Sequence, residues 1–494
     1  MENALGQERL AALLAEAIGR HGVPGASLAL LADGETRTAA AGSLNLGTGV
    51  AATVDSVFQI GSITKVYTAT AAMRLVEQGR LALDARVADL IPGFRVADPQ
   101  TTAALTVRHL LTHTSGLAGD VYPDTGRGDD AVALAVDSYA TLPQELPLDS
   151  RWAYCNSGWV ILGRVLETVT GTTWDAALRT LLLEPAGLAE TMTLPEEALR
   201  FRAALGHVGE PPQPSPQWGM PRALGPAGLA CATARDLVAF ARLHLDGGVA
   251  DDGARVLAAE TVAQMQREQV SCAGLSGRSD AYGLGWMLFD WGGRRVVGHD
   301  GGTIGQLAYL RFVPDAGVAL GLLTNGGDGD GCFRELAATL LRESCGVVVP
   351  QPAAPAAQPA APAAEAALLG RWEQAAMRLT VTRGERGPVA VAEALDPLEQ
   401  AAAGGERAAC ELAPLDPDRG RWLLRAPGIV THGEDWAPLA LFEHDGVRYA
   451  HLAGRAMRRV GDGDASAAAT GAAAAAVAAA ATAGGATAGG AAEA

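Results

Sequence analysis

Two strand-rich stretches, one near each end of the first 345 residues, bracket a long stretch whose pattern is mainly helical. Ala26-Ser27-Leu28-Ala29-Leu30-Leu31, the turn Asp33-Gly34 and a second strand from Thr36 to Ala41 read as a hairpin, packed on a helix spanning about Gln7 to Ile18. From Ser62 to about Gln269 the spacing of apolar residues predicts helices, including Asp130 to Tyr139, Gly158 to Val169 and Ala234 to Leu245, the last opened by Thr233 with Asp236 at the capping-box spacing. Strands return at Tyr282–Phe289, Arg294–Gly298, Leu307–Val313 and Val318–Leu323, and a helix follows from Phe333 to Arg342. The expectation is one antiparallel sheet assembled from both ends of this region, with flanking helices and a helical insertion. The fold class is α/β (α+β).

Beyond residue 346 the composition changes. Pro350 to Ala364 alternates Pro with Ala and Gln, which predicts an extended linker over 347–366. Met377–Thr382 alternates as a strand, and Leu441–Tyr449 has hairpin form, so 367–461 is expected to be a small all-β, barrel-like domain. Residues 462–494 are almost entirely Ala, Gly and Thr, and are expected to be disordered for want of apolar side chains to bury.

The net charge of −17 makes a phosphate backbone or an anionic membrane a poor partner. No basic segment followed by an apolar run opens the chain, and no apolar stretch is long enough to span a bilayer, so a cytoplasmic enzyme is expected. The six cysteines are scattered without Cys-x-x-Cys pairs, which predicts buried reduced thiols, no zinc site and no disulfide framework.

Of the 38 lysines and arginines one is a lysine, Lys65, three residues after Ser62 in Gly61-Ser62-Ile63-Thr64-Lys65. An arginine cannot give up its proton in a protein, whereas a desolvated lysine can become neutral and act as a base. Val66, Ala69, Met73 and Val76 fall at helical spacing with Gly79 as a stop, which places Ser62 and Lys65 on one helical face. Ser62 then lies at a helix N-terminus, where unpaired N–H groups favour developing negative charge. Tyr154 and Asn156 are two apart on an expected extended segment and so point the same way. His299-Asp300-Gly301-Gly302 follows an apolar strand, and its glycines let a substrate approach the strand edge and supply an oxyanion-hole N–H.

Ser-x-x-Lys, Tyr-x-Asn and His-x-Gly in this order resemble the penicillin-recognising serine hydrolases. Arg108–Leu117 and Gly301–Gly305 are similar to the class C β-lactamase and DD-peptidase branch, and the resemblance covers about residues 8 to 345. It implies a β-lactamase/transpeptidase-like fold and no cofactor. Ser62 would be the acylated nucleophile, Lys65 the base and Tyr154 the proton relay. Asn156 would bind the substrate amide, and His299 would form part of an electrostatic, carboxylate-facing wall. Many β-lactamases carry Lys-Thr-Gly where this chain has His299-Asp300-Gly301. That departure, the missing signal and the extra β domain, which would be lipocalin-like, resemble the penicillin-binding-protein-type thioesterases. These act as stand-alone cyclases that release nonribosomal peptides. The substrate would be a peptide or acyl thioester or ester, with a carrier protein as candidate partner; a D-peptidase, a DD-carboxypeptidase, an esterase and a β-lactamase share the layout. A non-catalytic peptide or β-lactam sensor is the remaining alternative. Arg455, after a strand and a glycine, is a candidate substrate ligand because its fork suits a peptide carboxylate.

Three other patterns are read as structural. His109 and His113, four apart on an expected helix, lack a third ligand and are assigned to backbone bonding; Cys155 is assigned to packing; Asp328 and Asp330 are assigned to a solvated turn.

Overall fold

The computed structural model describes residues 5–275, 279–385, 387–397, 400, 406–425 and 436–461. The tail expected over 462–494 lies outside them. The described residues form two units: one comprises those up to Pro352 with Gly454–Ala456, the other the remaining described residues from Ala353 onward.

The N-terminal hairpin forms where the Asp-Gly pair demands it. Asp33 and Gly34 both take positive φ (54° and 78°), as a two-residue reversal matched to strand twist requires, and Ala32 pairs with Glu35. Strand Gly25–Ala32 then pairs on its other side with Val318–Thr324, Ala26 opposite Thr324, so the two ends of the first unit meet at the centre of the sheet. The nine-stranded antiparallel sheet runs, in order, Val50–Ala51, Glu35–Asn45, Gly25–Ala32, Val318–Thr324, Gln306–Val313, Arg294–Thr303, Met287–Trp291, Ala281–Tyr282 and Val270–Ser271. Every residue of Gly25–Ala32 and Val318–Thr324 is buried, which explains why both read as continuous apolar runs rather than alternating ones. Helix Ala234–Leu245 packs on these two strands, and helix Gly329–Cys345 packs on Val318–Thr324 and on helix Gln7–Arg20.

Two strand expectations change. The run Tyr282–Phe289 is split into Ala281–Tyr282 and Met287–Trp291 by a reversal closed by Gly283 N–H to Trp286 O at 2.8 Å. A side chain at Gly283 would meet Met265 O at 2.2 Å, so the break is imposed by a close backbone approach. The strand beginning at Arg294 does not stop at Gly298 but runs on to Thr303, because Gln306–Val313 continues to pair with it. Its opposite edge is paired by Met287–Trp291 only as far as Gly298. Among the described residues no strand pairs with that edge from His299 to Thr303.

Eight strands from Gly370–Gln374 to Arg455–Gly461, all in the second unit but for Arg455 and Ala456, form a closed barrel in sequence order, and the last pairs back to the first through Arg458, Arg459 and Gly461. Trp372, Leu379, Val381, Trp422, Leu424 and Met457 fill its core. The end of the expected linker is not extended: Pro362–Leu368 is a helix, started by Pro at its first position, with Leu368 buried in the barrel core. Among the described residues no helix is long and apolar enough to cross a membrane.

Candidate active site

Ser62 sits in a single tight turn, Gly61–Ile63, that leads into helix Thr64–Glu77. Gly61 has φ of +51°, and a Cβ there would lie 2.4 Å from Gly302 N; one on Gly301 would lie 1.9 Å from Ile60 O. Glycine at both positions lets the turn that carries Ser62 press against the strand at Gly301 and Gly302. The start of the helix is tied down by Thr64, whose Oγ1 donates to Gly61 O at 2.7 Å and accepts from Ala230 N–H at 3.0 Å.

Lys65 is wholly buried, with Nζ 3.0 Å from Ser62 Oγ and 2.6 Å from Ala227 O. Burial drives its pKa well below the lysine range; the nearby Arg455 guanidinium pushes the same way, and Asp120 and Cys155 oppose it. A neutral amine can spend one N–H on the Ala227 carbonyl and turn its lone pair to the serine proton. The Tyr154 ring lies 4.9 Å from Nζ. Burial pushes the Tyr154 phenol well above its ordinary pKa, partly offset by a hydrogen bond with Ser62, so the phenol holds its proton more tightly than a free tyrosine. Its ring stacks on His113, with centroids 4.2 Å apart.

Asn156 opens helix Asn156–Thr170, after Cys155 as N-cap, rather than continuing an extended segment. Its Nδ2 donates to Asp120 Oδ1 at 2.8 Å and lies 3.1 Å from Tyr122 Oη, which turns its Oδ1 to the other side as an acceptor. Asp120, which sequence reasoning missed, is buried and organises this side of the site. Arg455 clasps it with two bonds, Nε to Oδ2 at 2.6 Å and Nη2 to Oδ1 at 3.1 Å, and stacks its guanidinium 4.5 Å from the Tyr154 ring centroid. Burial alone would raise the Asp120 pKa, but Arg455, Tyr122 and Asn156 outweigh it and hold the carboxyl below its ordinary value. The guanidinium expected to take a peptide carboxylate is therefore already bonded through Nε and Nη2, and Nη1 is the edge not used on Asp120. The one sequence signal for Asp120 was an acidic residue inside the apolar, glycine-rich run Leu117-Ala118-Gly119-Asp120-Val121.

His299 departs from expectation. It is fully buried, its Nδ1 lies 2.6 Å from Asp300 O and its Nε2 lies 3.0 Å from Tyr282 Oη. Burial lowers its pKa to about 3, helped by the charge of Lys65. A neutral ring with both nitrogens engaged inside the protein supplies no positive wall for a carboxylate. The Asp300 carboxylate is paired with Arg311 at 2.6 Å. His109 and His113 do not share a helical face, because the helix Val107–Leu111 has ended and His113 takes φ of +57°. His109 bonds to Thr106, and His113 accepts from Cys155 N–H. Burial pushes the Cys155 thiol up to about 11, the reverse of what a nucleophile needs. Asp328 caps helix Gly329–Cys345 and bonds His21, while Asp330 accepts from Tyr309.

Residues 10–343 match the β-lactamase family model. Over 361 residues the chain is 51% identical to penicillin-binding protein 4 of Amycolatopsis lactamdurans, covering 72% of this chain and 94% of that protein. The crystal structure of SurE with D-Leu is similar at a TM-score of 0.72 and 27% identity, covering 92% of this chain and 99% of that one. That of D-amino acid amidase from Ochrobactrum anthropi complexed with D-phenylalanine is similar at a TM-score of 0.55 and 26% identity, covering 66% and 92%. With a serine and lysine in bonding contact, a tyrosine beside them and the glycine-rich strand segment 299–303 opposite, matched along most of the first unit to such relatives, the chain belongs to the β-lactamase family and is a serine hydrolase of the penicillin-recognising type.

Proposed function

We propose that this enzyme is a cytoplasmic acyltransferase that releases a nonribosomal peptidyl thioester by macrocyclisation. Lys65 takes the Ser62 proton as Oγ attacks the thioester carbonyl; the C–S bond breaks and the thiol leaves with a proton passed through Tyr154. The N–H groups of Ser62 and Gly302 face the developing oxyanion. Gly301 and Gly302 receive the peptide backbone, Asn156 Oδ1 accepts a substrate amide N–H, and the Nη1 edge of Arg455 binds a substrate oxygen. The peptide's own amine then attacks the ester, the C–O bond to Ser62 breaks, and the amine proton returns to the serine through the same relay. A carrier protein would deliver the thioester.

The observation that carries this reading is the extent of the likeness to SurE, crystallised with D-Leu, which takes in 92% of the chain and so both units rather than the hydrolase unit alone. The test is to incubate the enzyme with a peptidyl thioester of a small thiol, carrying a D-residue at its C-terminus, and to analyse products by mass spectrometry. A product one water lighter than the linear acid, absent with Ser62→Ala, is expected. Linear acid alone would favour the second reading, a D-stereospecific peptidase or esterase, which the likeness to D-amino acid amidase supports.

A further inference from the structure

We propose that Tyr282 is a positioning residue for acyl transfer at Ser62, the centre of a buried one-way hydrogen-bond chain that ties the Tyr154–Asn156 segment to the strand edge at Gly301 and Gly302. The inference rests on Ser62 as nucleophile and is independent of the acyl acceptor.

The direction of the chain is fixed at both ends by backbone groups. At one end Cys155 N–H, between Tyr154 and Asn156, lies 2.9 Å from His113 Nδ1. A backbone N–H can only donate, so Nδ1 accepts, and a neutral His113 carries its proton on Nε2. At the other end His299 Nδ1 lies 2.6 Å from the Asp300 carbonyl, which can only accept, so Nδ1 carries the proton and Nε2 accepts. Tyr282 Oη lies between them, 3.2 Å from His113 Nε2 and 3.0 Å from His299 Nε2. Its oxygen accepts from His113 and its proton goes to His299. The indole N–H of Trp159 also lies 3.2 Å from His113 Nε2. A neutral ring holds one proton, so Nε2 cannot both accept from Trp159 and donate to Tyr282 while Nδ1 accepts from Cys155; the shorter backbone bond, 2.9 Å against 3.2 Å, assigns the proton to Nε2. Burial keeps both imidazoles uncharged and the Tyr282 phenol protonated, as the chain requires.

Both ends of the chain are working parts. His113 stacks on Tyr154 and holds the next backbone N–H; the residues after His299 press on the turn that carries Ser62. Tyr282 thus sets the gap in which a tetrahedral centre must fit between phenol and strand edge. A displacement of about 1 Å at such a point costs roughly 100-fold in rate.

Two measurements test this on the full-length enzyme. Nuclear magnetic resonance of protein labelled at histidine nitrogens should find His113 protonated on Nε2 and His299 on Nδ1; the opposite tautomer at either ring would overturn the chain. In single-turnover acylation by a small activated ester, Tyr282→Phe should slow acylation by about 10- to 100-fold with ester affinity unchanged. The double variant Tyr154→Phe/Tyr282→Phe should lose less than the product of the two single losses, because Tyr282 acts in part through Tyr154. Wild-type acylation by Tyr282→Phe, or losses that multiply in the double variant, would refute the positioning role. Failure of the wild type to acylate at Ser62 would overturn the nucleophile reading and the role of Tyr282 with it, while leaving the tautomers as a separate readout.

Discussion

The neutral state of His299 can be weighed by lowering the pH. Its pKa is about 3 in the folded protein, first through burial and then through the charge of Lys65, with the Asp300 carbonyl and carboxylate pulling the other way and Arg311 adding to the depression. An unfolded chain has a histidine pKa of about 6.5. Between these two values the unfolded state binds more protons than the folded one, so stability rises with pH and is lost as pH falls below about 6.5. Each pH unit in that window is worth about 1.4 kcal/mol, so at pH 5 His299 costs about 2 kcal/mol. His244, also held at about 3 by burial, adds a similar loss. Asp236 acts oppositely: burial raises it to about 6, so the folded state takes up its proton first and recovers about 1 kcal/mol by pH 5. Comparison with His299→Gln cancels these other groups, since glutamine does not titrate. Urea unfolding followed by tryptophan fluorescence at pH 7 and pH 5 should show the wild type losing about 2 kcal/mol more than the variant. Equal losses in the two proteins, or a His299 ring resonance titrating near pH 6.5, would refute the neutral assignment and restore a cationic wall.

The base can be tested by Lys65→Arg, which keeps charge but cannot accept a proton, in a buried site shaped for an amine; ester turnover should fall about 100- to 10,000-fold, nearly as far as with Lys65→Ala. Gly301→Ala places a methyl group 1.9 Å from Ile60 O and should cost about 100-fold in acylation, measured with a small activated ester, by parting the nucleophile turn from the strand edge. Arg455→Met strands the Asp120 carboxylate and should lower stability by about 3 kcal/mol in urea, the low end for a broken buried pair because the arginine side chain is 26% exposed. The same substitution removes a charge that depresses the Lys65 pKa and leaves Asp120, which raises it, so the acid limb of the acylation pH profile should move to higher pH.

What could be read from the sequence was what neighbouring residues decide among themselves. Ser62 and Lys65 are one helical turn apart, and Asp33-Gly34 contains its own reversal, so spacing and backbone preference sufficed. The misreadings arose where distant chain intervened. Residues 282–289 alternate like a strand, but Met265 O claims the space beside Gly283 and breaks the run. The helix expected to carry both His109 and His113 stops at Leu111 and His113 turns away to meet Cys155, 42 residues on, although both rings bond backbone N–H groups as expected. Asp120 and Arg455 are 335 residues apart, and His113 and Tyr282 are 169 apart, so no local pattern announces either pair. The consequence is specific to catalysis. A candidate nucleophile and base can be recognised from three residues of spacing, but whether that lysine holds a proton depends on burial and on Arg455, and whether the third-motif histidine is charged depends on burial and on Lys65. The sequence motif therefore nominates the candidate reacting atoms, and the non-local contacts decide their protonation states.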